Sequence, residues 1–308
     1  MTNLTVIIPT HNPSAPRFAR TLAGLRAQTI PAHDWETVLI DNASAPAIDA
    51  GLFRETAPAN LRFFREPKLG LSAARRRGFT EAKAPLCVLV DDDNVLAPDY
   101  LEIVMRVFAQ HSELGAIGGR SIPEFEQPPT EAERPFLNLL ALRDLGDTPL
   151  FSRGLRPSGA VRNEYPACAP IGAGMALRTE PARRWAADGN AAIADRQGRE
   201  LTSGGDNDIV LTLLSLGWEV AYIPELALTH LIPVGRLDVA YLARLNRGIQ
   251  KSWMRVLTKH DANPWPAIAP WTVPLRQAKA WFTHRGWAGP SAHIRWQGAC
   301  GHFEGRVP

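Results

Sequence analysis

The chain has 308 residues, of which 45% are hydrophobic and 21% charged, and its formal net charge is +3. This is ordinary globular composition, long enough for one large domain or two small ones. It excludes a transmembrane helix, because no apolar run approaches the roughly 20 residues a bilayer requires, and the three scattered cysteines, Cys87, Cys168 and Cys300, exclude a disulfide framework and point to a reducing compartment.

The opening MTNLTVIIPT lacks the basic region and cleavage site of a secretion signal, so a cytoplasmic protein is expected. LTVIIP (4–9) reads as a buried strand ending at Pro9. Phe18, Leu22 and Leu25 fall near helical spacing and predict a helix over 15–28. Two further strands, 36–41 and 61–66, precede a helix over 71–82, and LCVLV (86–90) is a fourth strand. A helix over 97–111 follows, with Pro98 suited to its first turn. Strands alternating with helices imply a mostly parallel sheet covered on both faces. The proline-rich stretch 120–165 predicts long loops with a short helix near 131–142. A glycine-punctuated strand (171–178), a helix (206–218) and two short strands on either side of Pro224 complete the body, and there is no internal repeat.

From 237 to 259 Leu242, Leu245, Ile249, Trp253 and Val256 form one helical stripe, and Arg244, Arg247, Lys251, Arg255 and Lys259 form the opposite one. From Leu231 onward there are 11 Lys and Arg against 3 Asp and Glu, and six of the nine tryptophans lie from Trp253 on. Beyond Pro264 no clean periodicity is visible. Three segments are therefore expected: 1–93, 94–235 and a basic, Trp-rich helical extension, 236–308.

The strand over 86–90 runs into Asp91, Asp92 and Asp93. Adjacent carboxylates repel one another unless a positive charge sits beside them. Asp91 and Asp93 alternate and can face one side of an extended turn, where hard oxygen ligands suit Mg²⁺ or Mn²⁺. The competing reading is a solvated turn capping the next helix.

Five other motifs accompany this one: PTHNP after the first strand, LIDNAS at the end of the second, LGLSAARRRG, and later SGGDND and LTHLIP. Together they resemble the family 2 glycosyltransferases over about residues 4–235. The resemblance implies an α/β GT-A fold, a single Rossmann-like mixed sheet flanked by helices, with the C-terminal helical extension added to it. It further implies an inverting enzyme that moves a sugar from a nucleotide-sugar donor to an acceptor hydroxyl, with Mn²⁺ or Mg²⁺ as cofactor. Pro9, Thr10, Asn12, Asp41, Gly70, Arg75, Asp91 and Asp92 would border the donor; for Asp41 a turn-cap role is the alternative. Asp91, Asp93 and His230 would hold the metal. Asp206 would be the general base, with Asp208 as the substitute; either could instead be a helix-start cap. Gly205 stands where the family has a glutamate, and Arg76 where it often has asparagine.

The donor is expected to be a UDP-sugar, with GDP- or dTDP-sugars as alternatives, and the acceptor a glycan or lipid-linked glycan in polysaccharide or glycolipid synthesis. Two rival readings are a haloacid-dehalogenase-like phosphohydrolase, which also has an Asp-x-Asp after a strand, and a nucleotide-sugar-binding module without turnover. No nucleic-acid-binding motif is present. For 237–308 a structural brace is weighed against a peripheral contact with the inner face of the membrane, made through the basic helical face.

Overall fold

The computed structural model describes residues 2–49, 51, 57–154, 163–188 and 201–308. The first half follows the sequence closely: β1 (Leu4–Thr10), α1 (Ala15–Arg26), β2 (Trp35–Asn42), β3 (Leu61–Glu66), α2 (Leu71–Glu81) and β4 (Leu86–Leu89). β3, β2, β1 and β4 lie side by side, all parallel. β1 is buried along its whole length because both faces of the sheet are covered. Leu4, Val6 and Ile8 pack with Phe18, Leu22 and Leu25 of α1, while Ile7 turns the other way onto Phe79 of α2.

The second half departs further from expectation. β5 (Asn94–Leu96) intervenes before α3 (Tyr100–Gln110), so Pro98 lies ahead of that helix and not in its first turn. The stretch read as loop begins inside β6 (Leu114–Phe125), a 12-residue strand, and holds β7 (Leu150–Arg153). The expected short helix is a 3₁₀ turn over Arg134–Leu140. Pro157 and its neighbours 155–162 lie outside the described residues. Only Ala176–Arg178 of the glycine-punctuated segment is a strand, β8; it leads into α4 (Thr179–Ala187). After α5 (Gly205–Ser215), β9 (Glu219–Ile232) is one strand where two were expected. Its pairing with β6 jumps from Gly118–Tyr222 to Arg120–Ala227. Pro224 falls within that irregularity, where a missing N–H interrupts no ladder.

The full sheet order is β3-β2-β1-β4-β8-β6-β9-β5, with β7 on β9. The segments divided by sequence at residue 93 therefore share one sheet. This is a GT-A fold.

The extension forms α6 (Val239–Lys259), α7 (Val273–Thr283) and α8 (Pro290–Gly305). Leu242 and Leu245 of α6 bury themselves against Phe136, Leu140, Ile232 and Ile294. Of the opposite stripe Arg244 and Arg255 are exposed, while two other cations are engaged. Arg247 pairs with Glu304 of α8, and Lys259 reaches Asp208 (2.9 Å) and Asp188 (3.3 Å) in the body. α8 lays Gly298, Gly301 and Gly305 against Asn246, the Arg247 carbonyl and the Lys251 carbonyl of α6, with no room for a Cβ at any of the three. Among the described residues no helix is long and apolar enough to cross a membrane.

Candidate active site

A cleft of about 290 Å³ opens at the carboxyl ends of β1, β2 and β4. This is where open α/β sheets present ligand sites. Its walls include Pro9, Thr10, His11, Asn42, Asp91, Asp92, Asp93, His230 and Arg236. Sheet register assembles it. Antiparallel pairing sets Asn94 opposite His230, and Leu231 N–H donates to the Asp93 carbonyl at 2.9 Å. The strand that carries the histidine is thereby locked beside the acidic turn.

The positive charge that the three aspartates require is an arginine of this chain. Arg236 sits in a 3₁₀ turn, Val234–Arg236, just past β9. Its guanidinium donates to Asp93 Oδ2 at 3.1 Å. His230 Nε2 lies 3.5 Å from Asp93 Oδ1. Burial pulls Arg236's pKa down, but the charges of Asp93, Asp91 and Asp92 outweigh it and leave the value raised. Asp92 accepts a short hydrogen bond from Thr10 Oγ1. Burial, with the charge of Asp93 added, still pushes its carboxyl up to about 7. Asp91 stands on the far side of the turn, 3.9 Å from Arg75.

Asp93 and His230 suit a hard divalent cation, since both are buried and their nearest donor atoms are 3.5 Å apart. Asp91, expected as a third ligand, is turned toward Arg75 instead. Among the described residues no three His, Cys, Asp or Glu side chains cluster in ligand geometry. A cation here would draw its remaining ligands from water and phosphate, as Mg²⁺ and Mn²⁺ commonly do.

Asp41 takes the turn-cap role. It is fully buried and off the cleft wall, its Oδ1 accepting from Ser44 N–H (3.0 Å) and its Oδ2 from Ile48 N–H (3.3 Å). The residue after it does what the sequence left unassigned. Asn42 Nδ2 donates to the carbonyls of Glu66 and Lys68, and Asn42 Oδ1 accepts from Gly70 N–H at 2.8 Å. This clamps the loop that brings Leu69 and Leu71 to the cleft. Gly70 has φ 137°, a conformation L side chains rarely adopt, which explains the glycine at the mouth of α2. Asn12 is exposed; its Oδ1 accepts from Ala45 N–H (2.9 Å), pinning the two strand-end loops together.

The arginine run does not form a solvated face. Arg75 is 3% exposed, its guanidinium packed on Gly172, and its Nε is buried without a hydrogen-bond partner. Arg76 donates to the Trp185 and Ala186 carbonyls at the end of α4. Asp206 opens α5 with its Oδ2 accepting from Gly172 N–H at 3.0 Å, so Gly172 links it to Arg75 and thence to Asp91. Asp208, the substitute base, points elsewhere. Its buried carboxylate accepts from Trp185 Nε1 (2.7 Å) and Lys259 Nζ (2.9 Å) and sits 2.7 Å from His260 Nε2. Burial alone would raise its pKa, but the bonds from His260, Lys259 and Trp185 hold it below the usual carboxylate range. It is a structural anchor with no reach to the cleft.

Sequence reasoning passed over Arg236, Asn42 and His11. A cation six residues beyond His230, in the short link after β9, was the signal available for Arg236.

An open sheet whose parallel strands end in acids beside a cleft, backed by an antiparallel β9–β5 pair carrying a histidine, is the layout of the GT-A fold. The profile described as "Glycosyl transferase family 2" matches residues 5–181, more than half of the chain, and the chain belongs to that family. The phosphohydrolase alternative falls with it, since the acidic triplet follows β4 and not the first strand. Two solved structures share the fold. The mannosyltransferase PcManGT of Pyrobaculum calidifontis, in complex with GDP-Man and Mn²⁺, superposes with a TM-score of 0.56 at 20% identity, covering 94% of this chain and 73% of that one. S. aureus TarS 1-349 in complex with UDP-GlcNAc gives 0.51 at 14%, covering 98% and 90%. A curated relative, the uncharacterized protein y4gI of Sinorhizobium fredii, is 27% identical over 113 residues, which is 36% of this chain and only 12% of that protein.

Proposed function

We propose that this chain transfers a sugar from a nucleotide-sugar donor to an acceptor hydroxyl, with inversion at C1. The observation that carries this reading is the convergence of Asp91, Asp92, Asp93, His230 and Arg236 on one cleft at the ends of the parallel strands. The donor's diphosphate lies at the acidic turn, and its nucleoside between the β1 and β2 ends and the loop held by Asn42. Asp93 and His230 would hold Mn²⁺ or Mg²⁺, and a divalent ion there would supply positive charge against the leaving diphosphate.

The chain's own groups do the rest. Arg236, once Asp93 has another cation, is free to meet a phosphate oxygen, and Arg75 steadies Asp91 from behind. Asp206 takes the proton from the acceptor hydroxyl as its oxygen bonds to C1; the C1–O bond to the diphosphate breaks and the diphosphate leaves with the electron pair. Position and fixed charge supply most of the rate. UDP-sugars are the first donors to try, with GDP- and dTDP-sugars next, since solved proteins of this fold hold UDP-GlcNAc and GDP-Man. The acceptor is a glycan or lipid-linked glycan.

The test is a thermal-shift panel of these donors with and without Mn²⁺, since a ligand raises stability by mass action. Labelled-donor assays follow on whichever donor binds. One donor should raise the melting point further with Mn²⁺, and Asp93→Asn should lose that Mn²⁺ increment while remaining folded. Release of inorganic phosphate without sugar transfer, or an unaltered Mn²⁺ response in Asp93→Asn, would overturn the assignment. Binding without any transfer would leave a donor-binding module.

A further inference from the structure

The stripe that the sequence offers for membrane contact is partly engaged: Arg247 and Lys259, two of its five cations, are paired with acids of the protein. A different surface is unspent. α7 buries Ala280 alone among its 11 residues. Trp271, Leu275 and Phe282 are 74%, 64% and 68% exposed, and Trp287, in the following turn, is 58% exposed. Leu275, Lys279 and Phe282 recur at spacings of four and three, which puts them on one side of α7, and Trp271 stands in the 3₁₀ turn Pro270–Thr272 that leads into it. Phe282 and Trp287 extend the patch across the turn, their ring centroids 5.8 Å apart.

These aromatics are outward by construction. Trp281 packs its ring on Trp296 of α8 (4.6 Å), and Trp296 Nε1 donates to the Gln277 carbonyl at 3.1 Å. The α7–α8 hairpin is thus closed by its own aromatic pair; Trp287 touches the edge of that pair (6.0 Å from Trp281), and Trp271, Leu275 and Phe282 stand mostly in solvent. The charge around them has one sign. Between Asp261 and Glu304 the sequence contains no acidic residue, while Arg276, Lys279, Arg285 and Arg295 are basic. Arg276, Lys279 and Arg285 are exposed beside the patch.

We propose that this face of α7 and its turn docks on an anionic lipid bilayer, with Trp271, Phe282 and Trp287 at the headgroup level and Arg276, Lys279 and Arg285 against the lipid phosphates. Tryptophan and phenylalanine mixed with basic residues is the chemistry of an interfacial helix. Charge decides between occupants. A second copy of this chain would bring two acid-free basic faces together, which repel, whereas an anionic surface attracts each of them. The docked area is shallow, because the helix carries cations along the same side as its apolar residues.

Full-length protein is sedimented with vesicles of pure phosphatidylcholine and of equimolar phosphatidylcholine and phosphatidylglycerol, in about 0.1 M and about 1 M salt. Binding to the anionic vesicles at low salt, fading at high salt, is expected. Lys279→Glu should weaken it by at least roughly fivefold, the scale of one basic residue at a charged surface. Trp271→Ser with Phe282→Ser should also lose binding while the melting point stays within a degree or so, since both side chains stand in solvent. Absence of binding at low salt, equal binding to neutral vesicles, or wild-type binding by the aromatic double variant would overturn the proposal. So would concentration-dependent self-association abolished by those substitutions, which would assign the face to a second copy.

Discussion

Replacing Arg236 by methionine removes the guanidinium that donates to Asp93 Oδ2 while keeping most of the side chain's length. The contact is 3.1 Å long, between side chains 22% and 8% exposed. Breaking a fully buried ion pair by deleting one partner costs about 3–5 kcal/mol, and partial access to water reduces this to about 2 kcal/mol. For a chain of this size that corresponds to a fall in melting temperature of roughly 3 °C. The same arithmetic runs in reverse for metal. If Arg236 must release Asp93 before a divalent ion can bind, its loss removes that cost, and about 2 kcal/mol is roughly a 30-fold gain in Mn²⁺ affinity. Calorimetric titration with Mn²⁺ and thermal melting, on wild type and Arg236→Met, measure both. The variant should melt lower without metal and recover more than the wild type with it. Equal Mn²⁺ affinities would refute the competition, and an unchanged melting point without metal would refute the pairing's weight.

Other substitutions separate the remaining roles. Asp206→Asn should keep donor affinity in a binding titration and lose turnover by at least roughly 100-fold, the scale of a missing general base. Asp208→Ala should act on stability, by about 2 kcal/mol, because it takes the acceptor from buried Trp185 Nε1 and leaves the half-buried Lys259 with Asp188 alone; near-normal melting would show the anchor to be weak. The pH dependence has a definite sign. A carboxyl held below its ordinary value near 4 contributes its stability above that pH and loses it as acid protonates the folded form. Melting curves of Asp208→Asn should therefore flatten below about pH 4 relative to wild type. Gly70→Ala forces a side chain onto a φ of 137° and should cost about 1–3 kcal/mol, with weaker donor binding as the Leu69–Leu71 wall shifts.

The parallel half was legible because its signals are local. β1, β2 and β4 are continuous apolar runs buried on both faces, each closed by a polar strand end, and the helices between them show an apolar stripe. β6 was not legible because Gly118, Gly119 and Pro123 read as punctuation; the pairing with β9 that makes them a strand comes from residues about 100 positions away. α8 escaped for a related reason. It meets α6 through Gly298, Gly301 and Gly305, so its packed face carries no apolar period to detect. In the site, strand-end acids were visible as a run, but Asp41 and Asp208 read as functional by position and are held by capping and ion pairing. Arg236 joins them only through the turn after β9, a tertiary fact whose sole mark in the sequence is a cation six residues beyond His230.

Asp208 is held from two directions: Trp185 belongs to the body, while Lys259 and His260 belong to the last turn of α6 and the residue after it. α5 therefore borrows its counterion from the extension that follows β9. In evolutionary terms the tail is not an interchangeable cassette. A recombination event that joined this body to another extension would strand a carboxylate in the interior unless the incoming sequence brought a cation to the same place. Drift in the tail is thus coupled to position 208, and a lineage that lost Lys259 should be found to have changed Asp208 as well.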